Sequence, residues 1–306
     1  MKKSSTHFFQ ERWEVYQFIA ENKMFFPIER MCKVLEVSRS CFYRWYSVGV
    51  SKRKLENQEL TVEIKRVYNQ SKQIYGSPRV TKVLKQEGRV VSERRVAKLM
   101  RVNSWQSKIR KKWKKTTDSN HKYSISANYL NRNFKPLELN QAWVSDITYI
   151  KTLQGWLYLT TVIDLYDRQV IGWSLSKTLH TNATIIPAWK MAVSKRNITK
   201  PLIFHSDRGI QYASNEFRVI LKANSLITQS MSRKGNCWDN AVAESFFKTI
   251  KSELIYRRTY SNRKSAELDV FEYIEIWYNR ERLHSALGYK TPLQMENEFY
   301  NVKSVA

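Results

Sequence analysis

Two carboxylates stand where a carboxylate calls for an explanation, and a third gains meaning beside them. Asp146 lies inside the β-rich run 143–151, Trp-Val-Ser-Asp-Ile-Thr-Tyr-Ile-Lys. A charge among apolar strand residues is unfavourable unless it is paired or bound to a metal. Asp207 follows the short apolar run 201–206, and Gly209 then releases the chain into a loop. Glu244 falls on the polar side of a helix expected over 239–254, four and seven residues before Lys248 and Lys251. Alone, that is an ordinary surface helix with spaced ion pairs. Together, three hard oxygen donors without His or Cys favour Mg²⁺, with Mn²⁺ as a substitute. Two such ions about 4 Å apart activate water or a 3′-hydroxyl and stabilise the leaving oxygen, which is phosphodiester chemistry.

The elements that must position these groups read as a mixed α/β region. Residues 143–151, 156–164 and 170–175 are extended runs with short connections, the pattern of an antiparallel meander. Residues 181–195 read as helix, 201–206 as strand, 214–224 as helix, 226–231 as extended chain and 232–236 as loop. The last helix puts Val242, Ala243, Phe246, Phe247, Ile250 and Leu254 on one face, with Glu244, Lys248 and Lys251 opposite. An Asp in a first strand, an Asp at a later strand tip and a Glu on a following helix is the metal-site plan of ribonuclease-H-like folds.

Charge points to the partner. The 306 residues carry 53 Lys and Arg against 27 Asp and Glu, a net +26, which implies a polyanion. Residues 1–135 hold a net +20 of this and residues 136–306 only +6. An apolar fraction of 42% excludes disorder as the main state. No run approaches the roughly 18 apolar residues of a membrane span, and the first residues lack a signal-peptide apolar stretch. The expectation is a cytoplasmic protein. Three cysteines (32, 41, 237) without C-x-x-C spacing and five scattered histidines argue against a disulfide framework and a structural zinc.

The basic half reads as short helices. Residues 27–35 form one, with 28, 31, 34 and 35 as its apolar stripe, and Ser38 caps a second through Tyr46. A longer helix, 55–71, carries Leu60, Ile64, Val67 and Tyr68 on one face. Ser77 caps the next, with Pro78 in its first turn and Gly88 at its end. Ser92 caps the helix 93–102, which turns Val96, Leu99 and Met100 inward and Arg94, Arg95, Lys98 and Arg101 outward. Two units of this shape, near 28–46 and 78–102, are helix-turn-helix candidates; a helical hairpin with a solvated basic face is the bland alternative. The run 108–115 places six cations and Trp113 in eight residues, and Arg110, Lys111 and Lys112 within it suit phosphate neutralisation. The Asn-rich stretch that follows reads as a linker. The expected order is a helical region (1–50), a basic DNA-binding region (51–115), a linker (116–138) and a catalytic domain with a helical tail (139–300).

Longer strings make the sequence recognisable. Trp143-x-x-Asp146-Ile147-Thr148-Tyr149, His205-Ser206-Asp207-Arg208-Gly209-x-Gln211-Tyr212 and Gly235-Asn236-Cys237-Trp238-Asp239-Asn240-Ala241 with Glu244-Ser245-Phe246-Phe247 resemble the OrfB proteins of the insertion-sequence-three family of DDE transposases. So do the tail Trp277-Tyr278-Asn279-x-x-Arg282-x-His284 and the segment Tyr75-Gly76-Ser77-Pro78-Arg79. The resemblance implies an α/β, ribonuclease-H-like (integrase) core behind an all-α helix-turn-helix region, with Asp146, Asp207 and Glu244 as catalytic triad and Lys251 as the basic residue seven positions on. It also implies a Mg²⁺-dependent endonuclease and strand-transferase for which double-stranded DNA, both element ends and target, is the substrate. The expected setting is a bacterial nucleoid, as a homo-oligomer on DNA and with OrfA or as an OrfA–OrfB fusion. One departure stands out: 36 residues separate Asp207 from Glu244, where the family pattern has about 35, and the extra residue is expected near Asn224-Ser225.

Other residues carry two readings each. Asp164 and Asp167 could approach the metals, or shape a turn and pair with Arg168. His205 could carry a proton or pack in its strand. Arg233 and Lys234 are candidates for DNA phosphates, Trp238 for a gate or an anchor, and Asn240 for a substrate contact or, more simply, a helix cap. Two other classes remain open at this point: a DNA-binding regulator with an inactive α/β half, and a plain nuclease without joining activity.

Overall fold

The computed structural model describes residues 9, 12–48, 51–107 and 123–305. The chain divides into two units, residues 1–106 and 107–306. In the first, α1 (Arg12–Asn22), α2 (Ile28–Val34) and α3 (Arg39–Val48) close around Val15, Ile19, Met31, Cys32 and Phe42. Helix α1 is not expected from the sequence, because its apolar and polar residues are poorly segregated. The expected stripe also turns Val34 inward; in the two-turn α2 that place is taken by Cys32 and Leu35, and Val34 is exposed.

The same unit holds α4 (Lys52–Gln70), α5 (Ser77–Gln86) and α6 (Glu93–Val102). Leu60, Ile64, Val67 and Tyr68 of α4, Val80 and Leu84 of α5, and Val96 and Met100 of α6 are buried. Helix α4 starts three residues earlier than its apolar stripe implies, because Ser51 accepts the Lys54 N–H. Ser92 caps α6 through the Arg95 N–H, as expected. The cap of α5 falls on Gly76, not Ser77, and makes no side-chain bond.

The second unit is built on a five-stranded sheet in the order β3-β2-β1-β4-β5. Strands β1 (Ala142–Thr152), β2 (Gly155–Asp164) and β3 (Val170–Ser176) form the antiparallel meander; β4 (Leu202–Ser206) and β5 (Ile227–Met231) run parallel to β1. One face is covered by α7 (Ile185–Lys195), α8 (Ile210–Ala213) and α9 (Asn215–Lys222), around Trp143, Val162, Trp189, Phe204, Tyr212 and Phe217. Helix α7 lies so close to β3 that a Cβ on Gly172 would sit 2.1 Å from the Ala188 carbonyl oxygen.

Beyond β5 come α10 (Ala241–Glu253), α11 (Arg263–Phe271) continuing into a π-helical stretch over Glu272–Glu281, and α12 (Pro292–Val305). Much of the expected linker belongs to this unit. The Met231 N–H donates to Ala127, the Leu130 N–H to Ser230 Oγ, and the Leu130 side chain is buried. Composition suggested a linker, but these backbone groups find partners on β5. The cationic run 108–115, with Arg110, Lys111 and Lys112, lies outside the described residues. Among those described, no helix is long and apolar enough to cross a membrane.

Candidate active site

The sheet register sets two carboxylates side by side. Ser145 of β1 pairs with Ser206, the last residue of β4, on strands that run about 4.8 Å apart, so Asp146 on β1 and Asp207 just past the end of β4 come next, side by side. Asp146 Oδ1 accepts the Ile147 N–H at 2.8 Å, and Asp207 Oδ1 accepts the Gly209 N–H at 2.9 Å. Glu244 stands in the first turn of α10, which packs on β1. Opposite Asp146, on β2, lies Thr161, whose buried hydroxyl has no hydrogen-bond partner among the described residues.

Electrostatics tie these groups together. Burial, and then Asp207, push Asp146 well above the usual carboxylate range; Glu244 adds to this, while the Ile147 N–H and Lys251 oppose it. Glu244 is raised by burial and by Asp207. Lys251 is lowered by burial, with Asp146 pulling the other way. Three carboxylates from three elements therefore share one field. Their oxygen-only chemistry, and the repulsion that a bound cation relieves, fit a divalent metal. Among the described residues, no three His, Cys, Asp or Glu side chains are gathered closely enough to form a metal-binding cluster.

The loop between β5 and α10 is organised by Asp239. Its buried carboxylate accepts from Arg132 (2.8 Å), Asn128 (3.0 Å), the Arg233 N–H (2.9 Å) and the Arg233 guanidinium (2.8 and 2.9 Å). The Arg233 and Arg132 guanidinium groups hold it well below the ordinary range. Arg233 is thus engaged within its own loop, whereas Lys234 is exposed and Trp238 is largely exposed rather than buried as an anchor. Asn240 does not cap α10 with its side chain: its Nδ2 donates to the Ser145 carbonyl at 3.1 Å.

Other readings resolve similarly. His205 is fully buried between Ser230 Oγ (2.9 Å) and Ser232 Oγ (3.2 Å), and burial lowers it to about 4, so it packs as a neutral strand residue. Asp164 does shape the turn, accepting the Tyr166 and Asn140 N–H groups. Asp167 does not pair with Arg168: its partner is Arg196, at 2.6 Å. The Arg168 guanidinium reaches the Phe134 carbonyl instead. Sequence adjacency misled here, because a turn sends neighbouring side chains apart.

Comparison with known proteins places the chain. Integrase core domain families match residues 136–237 and 225–292, and an HTH-like domain family matches residues 54–113. The transposase InsF of insertion sequence IS3A from Escherichia coli (strain K12) is 39% identical over 285 residues, covering 92% of this chain and 98% of InsF. The chain belongs to the IS3 family of transposases. A 31 kDa protein of insertion element IS600 from Shigella sonnei is 38% identical over 272 residues, 89% of this chain and 99% of that protein. The HTLV-2 integrase catalytic core domain, solved in complex with magnesium, aligns over 52% of this chain and 97% of its own at 21% identity, with a TM-score of 0.38.

The tail string now has a physical meaning in this transposase. Arg282 forms a two-pronged pair with Glu253 at the end of α10 (2.7–3.1 Å), and the Tyr273 hydroxyl donates to the same carboxylate at 2.8 Å. Asn279 bonds both the N–H and the carbonyl of Val170, holding the π-helical stretch to β3. Sequence reasoning assigned no role to Glu253 or Asp239. A single cue for Asp239 was its place within the recognised string.

The HTH-like domain and the integrase core imply binding to DNA. On α6, Arg94 and Lys98 are exposed. Arg95 is not free to face outward: its Nε donates to Asn57 at 2.8 Å and its guanidinium lies 3.3 Å from Glu56, both on α4. Helical spacing could not separate it from its neighbours, because the α4 acceptors are remote in sequence. Lys248 is exposed and Lys251 half-buried on α10.

Proposed function

We propose that this transposase is a DDE-type endonuclease and DNA strand-transferase, in which Asp146, Asp207 and Glu244 hold Mg²⁺, or Mn²⁺ in its place. The observation that carries this is the Ser145–Ser206 register, which sets Asp146 and Asp207 side by side, with Glu244 in the first turn of the helix packed on β1. When bound, the ions supply Lewis-acid activation of the attacking hydroxyl and stabilisation of the leaving oxygen. The chain does the rest. Asp146 offers oxygens from β1, Asp207 from the loop at the end of β4, and Glu244 from α10. Lys251, beside Asp146, and the exposed Lys248 and Lys234 neutralise phosphates near the reacting bond. Water attack first frees the 3′ end of the element. The new 3′-hydroxyl then attacks a target phosphodiester, so one P–O bond forms as another breaks and no bond to the protein is made.

Arg94 and Lys98 of α6, with Arg110, Lys111 and Lys112 of the cationic run, supply grip on the duplex. The proposed division is a DNA-binding part, 1–50 and 51–115, and a catalytic part, 139–300, acting as a homo-oligomer with OrfA, or fused to it, in the bacterial cytoplasm. The test is Asp207→Asn. It should abolish Mg²⁺-dependent cleavage and joining of element-end DNA while gel-shift affinity stays within about twofold. Full strand transfer by that variant would reject the metal assignment.

A further inference from the structure

Among the described residues, five helices are capped in the ordinary way. The side chains of Ser51, Ser92, Ser214, Asn262 and Thr291 each accept an N–H from the first turn of their own helix. Asn240, at the same position before α10, does not. Its amide turns to the strand and donates to the Ser145 carbonyl, leaving a buried Oδ1 with no partner among the described residues. Buried acceptors without partners are rare, so a residue that gives up its cap to reach a strand calls for an explanation. The reverse amide orientation would set oxygen against oxygen, so the Ser145 carbonyl fixes which atom donates.

Ser145 is held from a second side. Its hydroxyl bonds the Tyr212 hydroxyl at 2.7 Å, and both residues are buried. Tyr212 lies on α8, immediately after the loop that carries Asp207. Across the sheet, Ser145 pairs in register with Ser206, the residue before Asp207. Three chain segments therefore meet at the residue preceding Asp146: the strand of Asp146, the loop of Asp207 through Tyr212, and the helix of Glu244 through Asn240.

We propose that the Tyr212–Ser145–Asn240 junction is a positioning device that sets the spacing of the three carboxylates, and so the affinity for the divalent ion. This rests on the triad reading above. Asn240 and Tyr212 act through Ser145 and touch neither substrate nor metal. Partners of this kind, one bond behind the ligands, typically change metal affinity by about 10–100-fold when removed.

The experiment uses the full chain with Asn240→Ala, Tyr212→Phe, Ser145→Ala and Asp146→Asn. Mn²⁺ binding is measured by calorimetry without DNA, and Mg²⁺ dependence by cleavage of element-end duplex. Asn240→Ala should weaken Mn²⁺ binding and raise the Mg²⁺ needed for half-maximal cleavage about tenfold, with unchanged gel-shift affinity. Tyr212→Phe should shift both in the same direction by less. Combined with Ser145→Ala it should add nothing, since both delete one bond. Parent-like Mn²⁺ affinity and Mg²⁺ requirement in Asn240→Ala and Tyr212→Phe, with Mn²⁺ binding lost in Asp146→Asn, overturns the junction alone. Parent-like binding by Asp146→Asn overturns the triad and the junction with it. If Asn240→Ala fails to fold, Tyr212→Phe, which removes a single oxygen, decides.

Discussion

Replacing Arg282 by Met tests how the helix that carries Glu244 is held. The Glu253 and Arg282 side chains are 2% and 7% exposed, and the guanidinium meets both carboxylate oxygens. Met keeps much of the length and apolar volume but removes the charge. Glu253 then keeps the Tyr273 hydroxyl as a side-chain partner. Leaving a buried charge uncompensated costs about 3–5 kcal/mol. For a unit of about 200 residues, 1 kcal/mol corresponds to about 2–4 °C, so the midpoint should fall by about 6–20 °C. The double variant Glu253→Gln/Arg282→Met removes both charges and should recover most of that loss, because the penalty comes from the unpaired carboxylate and not from the absent pair. Thermal and urea unfolding of the full chain, followed by tryptophan fluorescence, would read both. A fall of under about 3 °C in the single variant, or a double variant no better than the single, refutes the reasoning.

Other expectations follow from the same geometry. Gly172→Ala should destabilise by at least about 1–3 kcal/mol in urea unfolding, because its Cβ would meet backbone atoms of α7 that cannot swing aside. Asp239→Asn should lower stability at neutral pH. The folded carboxyl is held below its ordinary range, so its contribution is complete above about pH 4 and lost as pH falls further; the gap between parent and variant in melts at stepped pH should close below that value. Arg94→Ala and Lys98→Ala should each weaken DNA binding and flatten the salt dependence by about one unit of slope. Arg95→Ala should instead lower the melting temperature and leave that slope alone; an equal loss of slope would mean that its bonds to α4 open on DNA.

Elements with strong local signals were legible in the sequence. The meander came from three β-rich runs with tight connections, and α6 from Ser92 and its apolar stripe. Asp146 and Asp207 stood out by their places within and at the end of apolar runs, whereas Glu244, ordinary for a surface helix by itself, stood out only in combination with them and within the recognised string. What stayed hidden was long-range pairing. Asp239 meets Arg132 and Asn128 from a segment read as linker, and Asp167 meets Arg196 from the far end of α7. No local period encodes such pairs, since the fold brings their partners together after the elements are set. Asn240 was read as a cap for the same reason: local geometry favours capping, and only the sheet beneath α10 offers it the Ser145 carbonyl.

Two long-range bonds, Asn240 to Ser145 and Glu253 to Arg282, hold α10. At about 1.5 Å per residue, its 13 residues span about 20 Å, with Glu244 near one end and Glu253 at the other. The near end is held to β1 by one neutral bond through Asn240, and the far end to the π-helical tail by a buried ion pair. A helix fixed at both ends can rotate or slide only by breaking one of them. The two clamps differ in strength, and so in consequence. Loss of the far one should appear first as lost stability, because it strands a charge. Loss of the near one should appear first as a changed metal requirement, because it frees the turn that bears Glu244 while the far pair keeps the fold intact. A chain in which both changes shifted stability and metal requirement in the same proportion would not have separate clamps, and α10 would then be placed by its apolar face alone.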